Sequence, residues 1–178
     1  MLLKKPAMDQ KLFIGPGVIA IGLLLHTVGQ ATPYWDSFVT EDSSVHFGLW
    51  EVCNTFGCNK IQMNSPILTP LYHASRAFAI MGVLSGAAAV LTIFLYVFQV
   101  KLVYVKISAA LGAVSGVLIA ICAIVWFVYA VDMYPVNVFG YSFILSCVGS
   151  VLSIKGSIVS YVMVRRHHRF GYATIVSP

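Results

Sequence analysis

Charged residues are scarce in this 178-residue chain, at 10% of the total against 59% hydrophobic residues. A typical soluble domain carries about 25% charged residues, so the composition argues against a soluble multidomain enzyme. It also excludes intrinsic disorder, which needs low hydrophobicity and high charge. Acidic residues are the scarcest, six against eleven basic ones, which leaves a net charge of +5. Such an excess indicates nucleic acid or a membrane surface, and the positions of the charges decide between them.

Catalytic motifs are missing as well. The chain contains no HExxH, no GxSxG and no phosphate-cradling glycine loop, so we predict no enzyme activity and no cofactor. His46 and His73 share a segment with several carboxylates, but their spacing matches no metal-ligand pattern, and we predict no metal site. There is no internal repeat, and residues 1–178 are predicted to form a single domain.

Four long apolar blocks dominate the chain, at residues 12–31, 77–98, 107–131 and 141–164. Three contain no formal charge, and the fourth contains only Lys155. About 20 apolar residues cross a bilayer as a helix, and soluble helices of this length carry charges on one face. We therefore predict a left-handed, up-down bundle of four transmembrane helices, because two of the three links between the blocks are short.

The charges lie on opposite sides of these blocks. Eight of the eleven basic residues fall on one side: Lys4, Lys5, Lys11, Lys101, Lys106, Arg165, Arg166 and Arg169. Five of the six acids fall on the other: Asp36, Glu41, Asp42, Glu51 and Asp132. The basic side is cytoplasmic by the positive-inside rule, so both termini, including a tail at 165–178, are predicted inside. The basic excess then indicates contact with anionic lipid rather than nucleic acid.

One alternative concerns the first block. Residues 1–31 could form a cleaved signal peptide, since basic residues come first and small residues lie near Ala31. The apolar stretch is longer than the usual 7–15 or so residues of such a peptide. We therefore expect it to be retained as the first helix.

The first outer segment, residues 32–76, is predicted to form a small antiparallel sheet; the second outer link, 132–140, is short. Residues 45–52 are rich in β-branched and aromatic side chains, and residues 58–63 make a plausible return strand. The intervening Asn, Thr and Gly favour a turn. Cys53 and Cys58 flank this turn on the oxidising side, where they can form a disulfide; two free thiols or a metal pair are the alternatives.

The order of tryptophan, glycine and cysteine residues in the first outer segment is similar to a known family signature. Trp35 is followed by Gly48-Leu49-Trp50 and then by Cys53 and Cys58, in the first outer segment of a four-helix chain. This W…GLW…C…C order resembles the signature of the claudin, peripheral myelin protein and epithelial membrane protein superfamily, over residues 12–166. The short cysteine spacing and the Ser-Arg-Ala-Phe run at Arg76 are similar to the lens fibre membrane protein branch. Claudins have a longer cysteine loop and often end in a PDZ ligand, which this chain, ending in proline, lacks.

The resemblance implies a membrane α+β fold and a function at the plasma membrane. We expect a structural or adhesive protein of cell–cell junctions that self-associates within one membrane and across membranes. The alternatives are a paracellular cation-selective pore of claudin type and an auxiliary subunit of a channel or receptor. By resemblance Arg76 caps the extracellular end of the bundle; otherwise it is a snorkelling interfacial arginine.

Trp35 and Trp50 are amphipathic rings of the kind that concentrates at headgroup level. We expect them to anchor the sheet on the bilayer surface, with direct contact to a partner as the alternative. Close helix contacts are predicted at two pairs of glycines spaced four apart, with packing inside one bundle favoured over association between molecules. These are Gly82 with Gly86 and Gly112 with Gly116.

One lysine and one histidine lie inside the blocks. Lys155 comes about ten residues before Arg165, roughly 15 Å from the inner boundary. An intramembrane charge is a candidate for function, with snorkelling as the structural alternative, and none of the blocks contains Asp or Glu as a charge partner. His26 is predicted to be hydrogen-bonded inside the bundle rather than to be a ligand.

Overall fold

The computed structural model of the chain describes residues 10–39, 44–62, 68–133 and 138–176. Some features predicted above lie outside these ranges, namely Lys4, Lys5, Glu41, Asp42 and the end of the return strand at Met63. The side chain of Arg169 also lies outside the described part.

Four helices make up most of the described chain: α1 Ile14–Ala31, α2 Pro70–Gln99, α3 Leu102–Met133 and α4 Tyr141–Val176. A 3-10 turn, Gln10–Phe13, leads into α1. All four helices are long and apolar enough to cross a membrane, over Gln10–Ala31, Pro70–Gln99, Leu102–Asp132 and Tyr141–His167. The predicted four-helix membrane fold is confirmed.

The helix ends differ from the apolar blocks because local capping and turning decide them. α2 begins at Pro70, before the predicted start at 77, since the Thr69 hydroxyl accepts a hydrogen bond from the Tyr72 amide and proline suits a first turn. The inner link is only Val100 and Lys101, not residues 99–106. Val100 takes a left-handed conformation (φ 50°, ψ 38°), which ends α2, and α3 starts two residues later. α4 continues past residue 164 into the predicted tail.

The outer segments form one antiparallel sheet of five short strands. They are β1 Asp36–Val39, β2 Ser44–Phe47, β3 Glu51–Asn54, β4 Gly57–Lys60 and β5 Val138–Phe139, in the spatial order β4-β3-β2-β1-β5. The prediction of one strand over residues 45–52 was wrong. The chain turns at 48–50, where the Gly48 amide donates to the Glu51 carbonyl at 2.9 Å. Strand β5 comes from the second outer link, which sequence analysis treated as a plain connection.

α1 packs against α4 through small residues at seven-residue intervals. The facing pairs are Gly15 with Gly156, Gly22 with Gly149, and Gly29 with Ser142. A Cβ atom added at Gly22 would lie 2.6 Å from the Gly149 carbonyl oxygen, and one added at Gly149 would lie 2.6 Å from the Gly22 carbonyl oxygen. The two backbones are therefore in contact, which only hydrogen in place of a side chain allows. A seven-residue contact period accompanies left-handed crossing of helices.

The glycines singled out in α2 and α3 lie at other helix contacts within the same chain. A Cβ atom at Gly82 would meet Ile119, and one at Gly116 would meet Ile154. Gly86 faces Leu23 of α1, and Gly112 faces Ile19 of α1. Each of these glycines thus lies at a helix contact within the chain, and the preference for packing over association between molecules stays a prediction.

Serine hydroxyls cross the same contacts. Ser115 of α3 donates to the Gly82 carbonyl of α2 at 2.7 Å, and Ser150 of α4 donates to the Gly116 carbonyl of α3 at 2.8 Å. In a lipid environment, where there is no hydrophobic force between helices, close packing and such hydrogen bonds hold helices together.

His26 connects three helices from a fully buried position in α1. Its Nε2 lies 3.4 Å from the Ala79 carbonyl of α2, and its Nδ1 lies 3.2 Å from the Ser146 hydroxyl of α4. A carbonyl only accepts, so Nε2 carries the proton and Nδ1 accepts from the serine. The structure thus places His26 among hydrogen-bond partners inside the bundle.

The α1–α4 contact makes a direct prediction. We expect Gly22→Ala to lower the free energy of unfolding by about 1–3 kcal/mol, because the new methyl group overlaps the α4 backbone. Gly17→Ala is the matched control: apart from the backbone of its own helix and its chain neighbours, no atom lies within 4 Å of its added Cβ, and alanine is the better helix former by about 1 kcal/mol. Reversible unfolding of the purified protein in mixed micelles measures both. Equal stability of the two variants would contradict a close backbone contact.

Candidate functional site

The first feature of the extracellular end is the burial of Trp35. Its side chain is 0% exposed, its indole N–H donates to the Gly29 carbonyl at 2.8 Å, and its ring meets Trp126 edge-on at 5.3 Å. The Trp35 ring is therefore enclosed by protein instead of resting on the bilayer surface. The residue joins the first strand to the bundle interior, where its one polar atom is satisfied by the end of α1.

Around Trp35 lies an aromatic cluster that sequence analysis missed, formed with Tyr72, Trp126 and Tyr129. Tyr72 lies 5.3 Å from Trp126 and 5.2 Å from Tyr129, measured between ring centroids. Trp126 and Tyr129 stand three residues apart at the outer end of α3, so they share one helix face. That spacing was visible in the sequence, but their meeting with Trp35 depends on the fold.

The turn at residues 48–50 docks on α2 through its carbonyl groups. The Tyr72 hydroxyl donates to the Gly48 carbonyl, and Arg76 Nε donates to the Leu49 carbonyl, each at 2.5 Å. The Leu49 side chain is fully buried in the aromatic cluster. Glycine is needed at 48 because a Cβ atom there would lie 2.5 Å from Cα of Pro33. The GLW motif is therefore a docking turn, not the middle of a strand.

Arg76 holds this turn from the first turns of α2. Its guanidinium lies 5.1 Å from the ring centroid of Trp50 and 4.7 Å from that of Tyr72. A cation over aromatic faces is attracted by the ring quadrupole, and its Nε is already bound to the Leu49 carbonyl. Trp50 is half-buried beneath this group. The placement fits a capping role better than that of an arginine snorkelling freely to the interface.

The β3–β4 hairpin carries the disulfide. Cys53 and Cys58 are bonded and oppose each other in the strand register, with their Cα atoms 4.0 Å apart. Within the turn, the Asn54 carboxamide oxygen accepts from the amides of Phe56 and Gly57, and Gly57 has a φ of 143° that disfavours a side chain. The predicted disulfide is confirmed, and the turn residues at 54–57 have identifiable roles.

The hairpin presents the most exposed part of the sheet. Every residue of β4 is exposed, β4 is the outermost strand on its side, and the Phe56 ring at the tip is 97% exposed. Edge strands offer unpaired backbone groups to another chain, and exposed aromatic side chains are typical of interface centres. This edge and tip form the candidate partner surface.

The second outer link fastens the opposite margin of the sheet. The Gly140 amide donates to the Trp35 carbonyl and the Ser142 amide to the Tyr34 carbonyl, both at 3.1 Å. Phe139 of β5 stacks on Phe143 of α4 at 4.7 Å. The β5 margin of the sheet is therefore attached to α4. The opposite margin, strand β4, is the exposed edge.

The other candidate residues lie apart from this end. Lys155 lies in α4 and is exposed. Within the described residues, no group of three or more His, Cys, Asp or Glu side chains is placed to hold a metal ion.

The sequence model of the PMP-22/EMP/MP20/Claudin family matches residues 12–159. The chain belongs to this family. No curated protein matches the chain in sequence. The match spans α1, α2, α3, the sheet and the first half of α4. It identifies a four-span membrane protein of the junction and adhesion kind; assignment to the lens fibre branch stays a prediction.

For this family member, the docking of the turn predicts the effect of losing Arg76. We expect Arg76→Met to destabilise the docked turn by about 1–3 kcal/mol, because a buried carbonyl loses its donor. Hydrogen exchange read by mass spectrometry should show faster exchange at residues 44–60 while the helices stay protected. Lys101→Met, which removes an exposed cation from the inner link, is the control. Unchanged exchange in the Arg76 variant would contradict its role in docking.

The disulfide determines how many of the cysteine thiols can be alkylated before reduction. The chain has four cysteines, and Cys122 and Cys147 are free. Alkylation of denatured, unreduced protein should label only those two, and labelling after reduction should include Cys53 and Cys58. Peptide mass spectrometry reads both results. Labelling of Cys53 or Cys58 before reduction, in protein that has reached the cell surface, would contradict the bond.

Proposed function

We propose that the chain is a structural, adhesive protein of cell–cell contacts at the plasma membrane, with both termini in the cytoplasm. The observation that carries the proposal is the rigid presentation of the sheet. Its inner face is bonded to α2 through Tyr72 and Arg76 and its β5 margin to the start of α4, whereas β4 and the Phe56 tip face outward. A surface held this firmly loses little conformational entropy when a partner binds.

The outward margin suits self-association. Two copies that meet at β4 would satisfy each other's unpaired edge groups, and identical surfaces form self-complementary contacts about a two-fold axis. Phe56 would supply an aromatic anchor for the core of such a contact. Lateral contact between helices, which the lipid-facing side chains permit, would extend the assembly within one membrane.

The charges of the sheet support adhesion more than a cation-selective pore. Asp36 is 2% exposed, so its carboxylate cannot line an aqueous path. Glu51 lies opposite Lys60 in the β3–β4 register, where the two charges offset each other. Residues 32–75 of the first outer segment hold four acids against Lys60, and Asp36 and Glu51 are the two of these acids that the structure describes. The auxiliary-subunit alternative is separated from adhesion by the experiments below.

The proposal predicts which part of the chain directs contact. Exchange of residues 36–63 for the loop of a relative should change the partner, whereas deletion of residues 171–178 should leave enrichment at contacts between expressing cells nearly unchanged. The deletion keeps Arg165 and Arg166, so topology should survive. Phe56→Ser should lower the enrichment severalfold. Thr55→Ala, at the neighbouring exposed position, is the matched control.

The opposite pattern would contradict adhesion by the sheet: loss of enrichment on tail deletion with no effect of the loop exchange. Freeze-fracture of the same cells separates the alternatives. Continuous strands support adhesion or a pore, and transepithelial resistance then distinguishes these two. Isolated particles that copurify with a channel would support an auxiliary subunit instead.

A further inference from the structure

Lys155 projects from the outside of the bundle at membrane depth. It lies within the Tyr141–His167 span of α4 and is exposed. The side chains that share its helix face are apolar and also exposed, namely Val148 at 44%, Val151 at 49%, Ile158 at 58% and Val162 at 39%. Charged residues inside membranes normally face the bundle interior or a watery cavity. This cation instead faces hydrocarbon on the lateral surface.

The chain cannot neutralise this charge. No Asp or Glu occurs in residues 141–164, and Asp132 lies at the outer end of α3. Lys155 is 14 residues into α4, about 21 Å below the outer end of that helix. A second copy of the chain has the same apolar blocks, so it offers no carboxylate at this depth either. The counter-charge must therefore come from another molecule.

Snorkelling to the cytoplasmic headgroups is opposed by the direction of the helix. In an α-helix every Cα–Cβ bond tilts toward the N-terminus. α4 runs from the outside inward, so the Lys155 side chain starts toward the outer leaflet and away from the nearer, cytoplasmic surface. That surface is marked by Tyr161, which holds the Arg165 guanidinium at 5.3 Å from its ring centroid. Tyr161 is about 9 Å from Lys155 along the helix axis, and the tilt of the Lys155 Cα–Cβ bond shortens the reach of its ammonium in that direction.

We propose that Lys155 recognises a transmembrane helix of a different protein, one that carries an Asp or Glu at the matching depth. In hydrocarbon, an ammonium and a carboxylate have no competing water, so the pair selects a partner by charge and by depth. The inference goes beyond the adhesive function, since this face is lateral and separate from the sheet. It concerns which protein accompanies the chain within its own membrane.

The surface beside Lys155 suits a helix. A groove of about 430 Å³ runs between α3 and α4 next to Lys155. It is lined by Ala109, Ala113, Ile154 and Ile158 and, toward its inner end, by Lys106 and Tyr161. Ile158 belongs both to the groove wall and to the exposed face of Lys155. Small alanines on α3 leave room for the side chains of a helix that lies along α4, with its carboxylate directed at the lysine.

The test uses the full chain in uncharged phosphatidylcholine vesicles, with synthetic leucine-rich transmembrane helices as probes. One probe carries a single Glu at the depth of Lys155, one carries Gln, one carries Leu, and one carries the Glu two turns nearer its end. Energy transfer between labelled protein and probe measures association. We expect the matched Glu probe to bind roughly tenfold more tightly than the Leu probe. The Gln and depth-shifted probes should lose most of that preference.

Variants assign the effect to the lysine. Lys155→Leu should abolish the preference for Glu, and Lys101→Leu, the matched surface lysine at the inner link, should retain it. Lys155→Glu should prefer a Lys-bearing probe, which restores binding by reversing both charges. Since the Lys155 side chain lies outside the bundle, all variants should unfold like the unsubstituted protein, which the micelle assay checks.

Two results would overturn the proposal. One is equal binding of the Glu and Leu probes, or a preference that persists in Lys155→Leu. The other is retention of anionic lipid by the unsubstituted protein that is lost in Lys155→Leu, without any preference for the Glu probe. The latter result would assign the lysine to a headgroup phosphate instead of a helix.

Discussion

The attachment of one turn to one helix underlies the extracellular half of this protein. The carbonyl groups of Gly48 and Leu49 accept hydrogen bonds from Tyr72 and Arg76, and the Leu49 side chain fills the aromatic cluster at the outer end of the bundle. The strands have at most four residues each, and a sheet of such strands has little stability without a surface beneath it. The bundle supplies that surface, and the turn fixes the sheet upon it.

The membrane half depends on how closely backbones approach. Lipid gives helices no hydrophobic reason to associate, so α1 and α4 meet through glycines whose backbones touch, and serine hydroxyls bind carbonyls on neighbouring helices. His26 adds a hydrogen-bonded connection from α1 to α2 and α4. The close packing of α1 against α4 also sets the position of Gly29. The Gly29 carbonyl accepts the hydrogen bond from the Trp35 indole N–H. The position of the sheet on the bundle therefore depends on how the helices pack.

The surface of the protein has two parts in different environments, one in water and one in lipid. The sheet turns an exposed strand edge and an aromatic tip toward the extracellular space, while the lateral face of α4 presents a single cation to hydrocarbon. Water screens charges on the first surface and not on the second. If both proposals hold, recognition at the sheet depends on backbone edges and apolar contact, and recognition in the membrane depends on charge and depth.

Features that rest on neighbouring residues were determined by the sequence alone. Continuous hydrophobicity predicts four spanning helices whatever their arrangement, and the Cys53–Cys58 hairpin closes within a few residues, so its turn and its bond follow from local geometry. Features that join distant residues were decided by the tertiary structure. Gly48 breaks the predicted strand because it must approach Pro33, Trp35 is buried because Trp126 and Phe143 surround it, and β5 exists because β1 offers it an edge. The outward direction of Lys155 belongs to the same class, since a helical sequence shows which residues share a face, but only the packing of the other helices determines which face the lipid meets.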